Sequence, residues 1–428
     1  MSTSGTDRPA RPGPERGLRL EPFRGLRYVP ERVSSLAAVT APPYDVVVRP
    51  GEQRRLETAD PYNLVRLILP EAPTAAEQHR KAARTLAEWR ADGVLAADPR
   101  PALYIYEQLD GDRPQRGVIG ALRLSPPENG VVLPHEDVME GPVADRAALM
   151  RATRANLEPL LLVYRDGGRT ARVIERTAAG TPPLLTTTTE DGVRHRLWAL
   201  TGPADLASVQ GDLATRRAMI ADGHHRWATY RRLQAEHRPG GPWDYGLVLL
   251  VDSARHPPRV RAIHRVLPRL PLAVALAAVQ EAFRVRALAG PLDRALAALA
   301  EAAADGNAFL LAGDGFHLLD RPRPDRLDAA VPHDRPELWR RLDAAVLHHL
   351  LLDRLWQVPD APGYARYVHD AASAVELAER HGGTAVLLSP VREDVVLELA
   401  RQGVMMPPKS TSFGPKPAGG LVIRSLDL

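Results

Sequence analysis

No cysteine occurs anywhere in the 428 residues. That absence excludes disulfide staples, iron–sulfur clusters and thiolate zinc sites, and it removes the thiol from the list of nucleophiles. A metal here would have His, Asp and Glu to bind it. Long apolar runs are missing too. None approaches the roughly 18–20 residues that cross a bilayer, and the opening MSTSGTDRPARPGPERG has no apolar h-region. The expected location is the cytoplasm, with no membrane segment. An excess of one charge is also absent: 56 basic and 52 acidic residues interleave, leaving +4, which disfavours a nucleic-acid-binding stripe. Lysine is nearly lacking, with Lys81, Lys409 and Lys416 the only three, and asparagine is confined to Asn63, Asn129, Asn156 and Asn307. With Ala, Arg, Gly and Pro abundant, the bias points to a GC-rich genome. Residue types that such a bias disfavours mark positions where the common substitute does not serve. Two of the three lysines fall within eight residues near the C-terminus, and an ammonium on a flexible stem can follow a phosphoryl group as a planar guanidinium cannot.

What is present is ordinary globular usage, 44% hydrophobic and 25% charged, in a chain long enough for two or three domains. Residues 1–17 read as a disordered lead, 18–203 as an N-terminal α+β domain, and 204–428 as a C-terminal α+β domain. Pro42 and Pro43 place Tyr44 and Asp45 on a rigid loop. Thr74 with Glu77 forms a capping box that opens a helix with Ala82, Leu86 and Trp89 on one face, and Gly93 ends it. ALYIY (102–106) and RGVIGALRL (116–124) read as a hairpin through Asp110-Gly111. Further strands are expected at 171–177, 195–201, 245–252, 260–267 and 384–388. Helices are expected at about 144, 204–214, 271–304, 336–354, 367–380 and 391–402, with strand or hairpin segments near 308–320. The tail, VMMPPKSTSFGPKPAGGLVIRSL, keeps too many apolar residues for a free end and reads as an ordered loop with a short strand. The fold class is α+β, with mixed, mainly antiparallel sheets and flanking helices.

Asp222-Gly223-His224-His225-Arg226 is the strongest local signal. An apolar strand ends there and a helix begins, so free backbone N–H groups and the positive helix end meet an arginine and imidazoles. Gly223 permits a left-handed turn, Asp222 can orient an imidazole or hold Mg²⁺, and a histidine in that field can pass protons near neutral pH. Pro134-His135-Glu136 offers an imidazole and a carboxylate for general-base work or metal ligation, with Asp145-Arg146 nine residues on; the second pair equally suits a helix cap. His264-Arg265 closes an apolar strand, where open sheets present ligands, although a lone histidine there is more often structural. Lys409-Ser410-Thr411, followed by Gly414-Pro415-Lys416, lacks the Gly-x4-Gly of a Walker loop but can bind phosphate by point charge and hydroxyl donors. HExxH, GxSxG and GxGxxG are all absent.

PFRGLRY, APPYD, DPYN, ALYIYEQ, LPHED, DRAALM, ADGHHRWAT, HRVL and MPPKSTSFGPK occur in this order from about Glu21 to Leu426. In them the chain resembles the bacterial and archaeal domain-of-unknown-function family 1015, which implies a bacterial cytosolic protein, its gene often near those of serine biosynthesis. Asp222–Arg226 separately resembles the phosphate loop of the ParB and sulfiredoxin superfamily, which includes archaeal kinases of free serine. That resemblance implies a strand–loop–helix unit with Gly223, His224, His225 and Arg226 as phosphate contacts and Asp222 as a Mg²⁺ or histidine-orienting group. The glutamate base of those kinases has no aligned counterpart, and His135, Glu136 or Asp45 would replace it.

The expectation is a phosphate-handling enzyme, a Mg²⁺-dependent phosphotransferase acting on a small hydroxyl metabolite such as serine, with a nucleotide or pyrophosphate as donor. Catalytic candidates are His225, His224, Glu136 and His135. Gly223, Arg226, Lys409, Ser410, Thr411, Lys416, Arg265, His264, Arg146, Tyr44 and Asn63 are the binding candidates, and Asp222 and Asp45 the metal ligands. The loop 222–226 would form the floor and 405–417 the lid. The partner is a small anionic or phosphorylated molecule. Two other readings stay open: a ParB-like nucleotide- or DNA-binding regulator, which needs a helix-turn-helix after the loop, and a metallohydrolase using His135, Glu136, His224 and His225.

Overall fold

The computed structural model describes residues 17–47, 51–165, 168–361 and 363–428. The expected disordered lead thus lies outside the described residues, except for Gly17. Two compact units emerge, one built from residues up to 133, 138–257 and 416–428, the other from 134–137 and 258–415.

The first unit holds a nine-stranded mixed sheet. Its principal strands are β1 (Leu103–Asp110), β2 (Arg113–Arg123), β3 (Leu160–Tyr164), β4 (Ala218–Asp222) and β5 (Tyr245–Asp252). The spatial order is Val132–Leu133, β4, β3, β5, β2, β1, Arg194–Leu200 and Leu185–Thr188, with Leu20–Glu21 paired to β2. Only the pairs β3–β5 and Val132–Leu133 with β4 run parallel. β5 is apolar almost throughout because it is central and covered on both faces; Leu247–Val251 are at most 1% exposed. β1 and β2 form the expected hairpin, turning through Gly111 at φ 60°.

Three helices frame the site. α1 (Ala75–Ala91) opens on the Thr74–Glu77 capping box and buries Ala82, Leu86 and Trp89. α2 (Glu140–Thr153) packs against α1 and against α3 (His224–Glu236). A second sheet of this unit, in the order Leu95–Ala97, Gly25–Tyr28, Ile423–Ser425, Ala155–Asn156, ties the C-terminal strand in. The last thirteen residues therefore belong to the first unit, where Lys416 acts.

In the second unit a six-stranded antiparallel sheet runs Arg284–Leu288, Gly315–Asp320, Phe309–Gly313, Thr384–Leu387, His264–Leu267, Arg366–Val368. The helices Leu292–Asp305 and Ala371–His381 cover it through Ala295, Leu299, Ala374 and Ala378. Arg259–Arg261 and Ser412–Gly414 form a separate two-stranded ladder.

Several expectations need correcting. Residues 171–177, expected as a strand, lie in the helix Arg169–Gly180, where Thr170, Ala171, Val173 and Ile174 make one buried face. The helical stretch 271–304 is broken by the edge strand Arg284–Leu288. The strand expected at 260–267 is two, and the helix at 367–380 starts only after the strand Arg366–Val368. The boundary expected at 203/204 also moves. β4, α3 and β5 belong to the nine-stranded sheet and its flanking layer, because β5 pairs with both β2 and β3. Among the described residues no helix is long and apolar enough to cross a membrane.

Candidate functional site

At the end of β4 the chain reverses at Gly223, whose φ of 98° lies in the left-handed region. A Cβ there would sit 2.5 Å from Leu160 Cδ2 and 3.2 Å from Arg226 Nε, so both backbone and space demand glycine. α3 starts at His224 with no side chain capping its first turn. The positive end of its dipole favours negative charge at this terminus. His224 is buried, whereas His225 is half-buried and its Nε2 accepts the Met139 N–H at 3.1 Å. That places the imidazole proton on Nδ1 and leaves Nε2 basic.

Arg226 turns inward. Its Nη2 donates to Asp222 Oδ2 at 2.7 Å, one helical turn back, and its Nη1 to the Pro159 carbonyl at 2.9 Å. Buried to 2% exposure, it holds Asp222 from beneath, where the expectation made it a phosphate contact. Asp222 Oδ1 takes the Lys416 ammonium at 2.6 Å, and the same ammonium lies 2.7 Å from Asp45 Oδ2. Burial works against the charge on Lys416, but Asp222 and Asp45 outweigh it and hold the ammonium well above the usual lysine range. Asp45 is pulled upward by burial and more strongly downward by Lys416 and Arg226, so its carboxyl stays below the ordinary range.

Two segments distant in sequence bring these groups together. Ala41 and Gly419 exchange backbone hydrogen bonds, Ala41 N–H to Gly419 at 3.3 Å and Gly419 N–H to Ala41 at 2.9 Å. The APPYD loop is thereby clamped to the tail. Gln108 Nε2 donates to the Lys416 carbonyl at 2.7 Å, and the Ala418 N–H donates to Tyr106 Oη at 3.2 Å. Tyr106 in turn bonds His195 Nδ1 at 2.9 Å; burial lowers His195 to about 4, so the ring is neutral and Nδ1 accepts.

Tyr44 completes the wall. Its ring lies 4.6 Å from the Arg146 guanidinium and 5.9 Å from that of Arg226, and its N–H donates to Glu158 Oε1 at 3.0 Å. Burial pushes the phenol up to about 12, with Arg226 opposing. Glu158, which the sequence reading missed, is buried; desolvation raises its carboxyl above the ordinary range, and Arg226 and Arg146 oppose that rise. It lines a cavity of about 20 Å³ with Arg146, Met150 and Arg226, the volume of about one water. Nothing in the sequence marks Glu158, because it belongs to no motif. Arg146 is fixed by Ile68 O at 2.7 Å and by Asp145.

The second unit gathers a different set. His135 Nε2 lies 3.0 Å from Thr411 Oγ1, and Thr411 donates to Glu136 Oε1 at 3.4 Å. Arg265 donates to the carbonyls of Ile263 (2.6 Å) and Lys409 (3.0 Å) and stacks on Tyr367 at 4.5 Å. Burial lowers it to about 10. Lys409 is exposed at φ 57°, and Ser410 bonds the Pro407 carbonyl. His264 Nδ1 accepts the Leu388 N–H at 3.2 Å, and burial lowers the ring to about 4. That histidine is structural. The expected lid is thus divided: its residues up to Pro415 belong to the second unit and Lys416 to the first.

Of the expected residues, the first unit assembles Tyr44, Asp45, Arg146, Asp222, Gly223, His224, His225, Arg226 and Lys416. Asn63 is not a ligand group. It is fully buried, its Nδ2 donates to the Ala38 and Thr40 carbonyls, and its Oδ1 accepts the Val65 N–H. A resident Mg²⁺ does not fit the Asp45–Asp222 pair as arranged, since the space between the two carboxylates is filled by an ammonium at 2.6 and 2.7 Å. Neither His135 with Glu136 nor His224 with His225 belongs to a cluster of three or more metal-type ligand atoms among the described residues. Among the described residues α3 does not lead into the second helix of the helix-turn-helix that a DNA-binding regulator needs. α3 is followed by β5 of the sheet, and its Arg232 is paired with Glu140 and Glu236.

Residues 20–345 match the family described as "Protein of unknown function (DUF1015)". The chain belongs to this family. The MPPKSTSFGPK segment of this DUF1015 chain lies beyond the matched residues. Among solved structures, free serine kinase in complex with AMP is similar at 16% identity and a TM-score of 0.35, over 66% of this chain and 84% of that one. SbnI with a C-terminal truncation, from Staphylococcus aureus, is similar at 10% identity and a TM-score of 0.36, over 71% and 86%. A conserved hypothetical protein from Pyrococcus furiosus follows at 16% and 0.35, over 69% and 93%. Likeness at this level transfers no residue role. No curated protein matches.

Proposed function

We propose that this chain is a phosphate-handling enzyme of the phosphotransferase type, acting on a small hydroxyl metabolite with a phosphoryl donor bound at the start of α3. One observation carries the reading: a helix start with no side-chain cap, reached through a glycine-only turn, stands directly after an Asp222 carboxylate that holds a lysine ammonium. Phosphoryl transfer asks a protein mainly for positioned positive charge and a proton acceptor. The positive dipole end of α3 attracts the phosphoryl oxygens. Lys416, held by Asp222 and Asp45, supplies positive charge beside the helix start, and Arg226 stays below as the fixed counter-charge of Asp222. His225 Nε2 accepts the hydroxyl proton once it releases the Met139 N–H, and Asp45, partly exposed and ionised, is the second acceptor. A metal ligated by both Asp45 and Asp222 would displace Lys416 from them. Serine as acceptor is the specific form of this proposal.

Calorimetric titration with pyrophosphate and with ADP tests the binding half. Saturable binding that weakens at least tenfold in Lys416→Met is expected. Equal affinity in both proteins would place the anion elsewhere.

A further inference from the structure

The segment Leu347–Leu355 of the second unit is a π-helix, following the short α-helix Asp343–Val346. Its buried side carries Leu347, Leu350 and Leu351; the side open to solvent carries His348, His349 and Asp353. One ligand atom from each of the three lies within 4.8 Å of the others. His348 Nε2 is 3.8 Å and His349 Nδ1 is 3.6 Å from the same oxygen, Asp353 Oδ2. The two imidazoles meet edge to face, with centroids 4.9 Å apart.

The winding of the helix explains the convergence. At about 4.4 residues per turn, each residue advances roughly 80° around the axis, so residue 353 lies in azimuth between 348 and 349 and one turn below both. An α-helix advances about 100° per residue and would set 353 roughly 140° from 348, too far around for the side chains to meet. The π turn therefore gathers two imidazoles and a carboxylate, and single π turns recur at functional sites.

We infer that His348, His349 and Asp353 form a binding site for a divalent transition-metal ion, with zinc the best fit and at least one coordination position left open. Two imidazoles with one carboxylate suit zinc and disfavour magnesium or calcium, which take oxygen ligands. Ligand atoms about 2.0–2.1 Å from a tetrahedral zinc stand about 3.4 Å apart. The observed 3.6 and 3.8 Å close to that by small side-chain rotations. Trp339, with its ring 5.8 Å from that of His349, walls one side. The site is independent of the phosphate-handling reading.

Full-length, tag-free protein stripped with chelator is dialysed against Zn²⁺ and against Mg²⁺ at pH 7.5. Bound metal is counted in wild type, His348→Ala, Asp353→Ala and the double variant, with circular dichroism to confirm folding. Co²⁺ serves as the optical probe. The inference expects one Zn²⁺ equivalent per chain with no Mg²⁺ bound, visible Co²⁺ bands of low-coordinate character, and at least a tenfold loss of affinity in each folded single variant. It is overturned if wild type binds no stoichiometric Zn²⁺, or if the double variant binds as well as wild type.

Discussion

Replacing Lys416 with methionine removes the ammonium that holds Asp45 and Asp222 together and keeps most of the side-chain volume. Removing one partner of a buried ion pair costs about 3–5 kcal/mol, because the other charge is left uncompensated. Here the loss is smaller. Asp222 retains Arg226 at 2.7 Å, and the Asp45 side chain, 38% exposed, can rehydrate. The expected destabilisation is therefore about 2–3 kcal/mol near neutral pH. The pH dependence follows from the two shifts. Asp45 is depressed in the folded state, so its contribution is present above the unfolded carboxylate value of about 3.9 and is lost as pH falls through the lower folded value. Lys416 is raised, so its contribution is complete below about 10.4 and is lost as pH rises through the folded value. The difference between wild type and variant should thus be flat from about pH 5 to 9 and shrink outside that range. Urea denaturation at half-unit pH steps measures it. A difference within about 0.5 kcal/mol at pH 7, the scatter of an ordinary surface substitution, would refute the reasoning.

Two other variants probe the same wall. Gly223→Ala combines a left-handed non-glycine residue, about 1–2 kcal/mol, with overlap on Leu160, about 1–3 kcal/mol; a loss of about 2–5 kcal/mol in urea unfolding is expected, and less than 1 would contradict the turn geometry. Glu158 has a raised folded value, so its stabilising contribution falls as pH rises above the unfolded value of about 4.3. Glu158→Gln, which can still accept the Tyr44 N–H, should flatten the stability profile above about pH 4.3; an unchanged slope would show that the carboxyl is not desolvated.

Much of this architecture was legible because the signals were local. Thr74 and Glu77 announced α1, Asp110-Gly111 the hairpin, and the run YGLVLLVD a strand whose bounds match. Asp222 to Arg226 was readable as strand, turn and helix because glycine at a left-handed position has a sequence signature. Rarity also singled out Lys416, which sits between two carboxylates. It misled for Asn63, where scarcity reflects three backbone hydrogen bonds in a closed interior. The misses have physical causes. Val173 and Ile174 suggest a strand, but burial on one face makes that segment a helix. RVRAL at 284–288 sits between Ala- and Leu-rich helices, and only its pairing with 316–320 turns it into an edge strand. Glu158 and the Asp45–Lys416 contact, 371 residues apart in sequence, depend on tertiary clamping at Ala41 and Gly419 that no local pattern encodes.

The central claim is that phosphoryl groups are handled at the start of α3 with His225 as proton acceptor. A phosphorus NMR time course with L-serine and, in separate tubes, ATP, ADP and pyrophosphate, each with Mg²⁺ in solution, tests it most directly, with His225→Ala as the control. The account predicts a new phosphomonoester resonance in at least one tube and its loss in the folded variant. An unchanged spectrum in every tube, or a product formed equally well by His225→Ala, would contradict it.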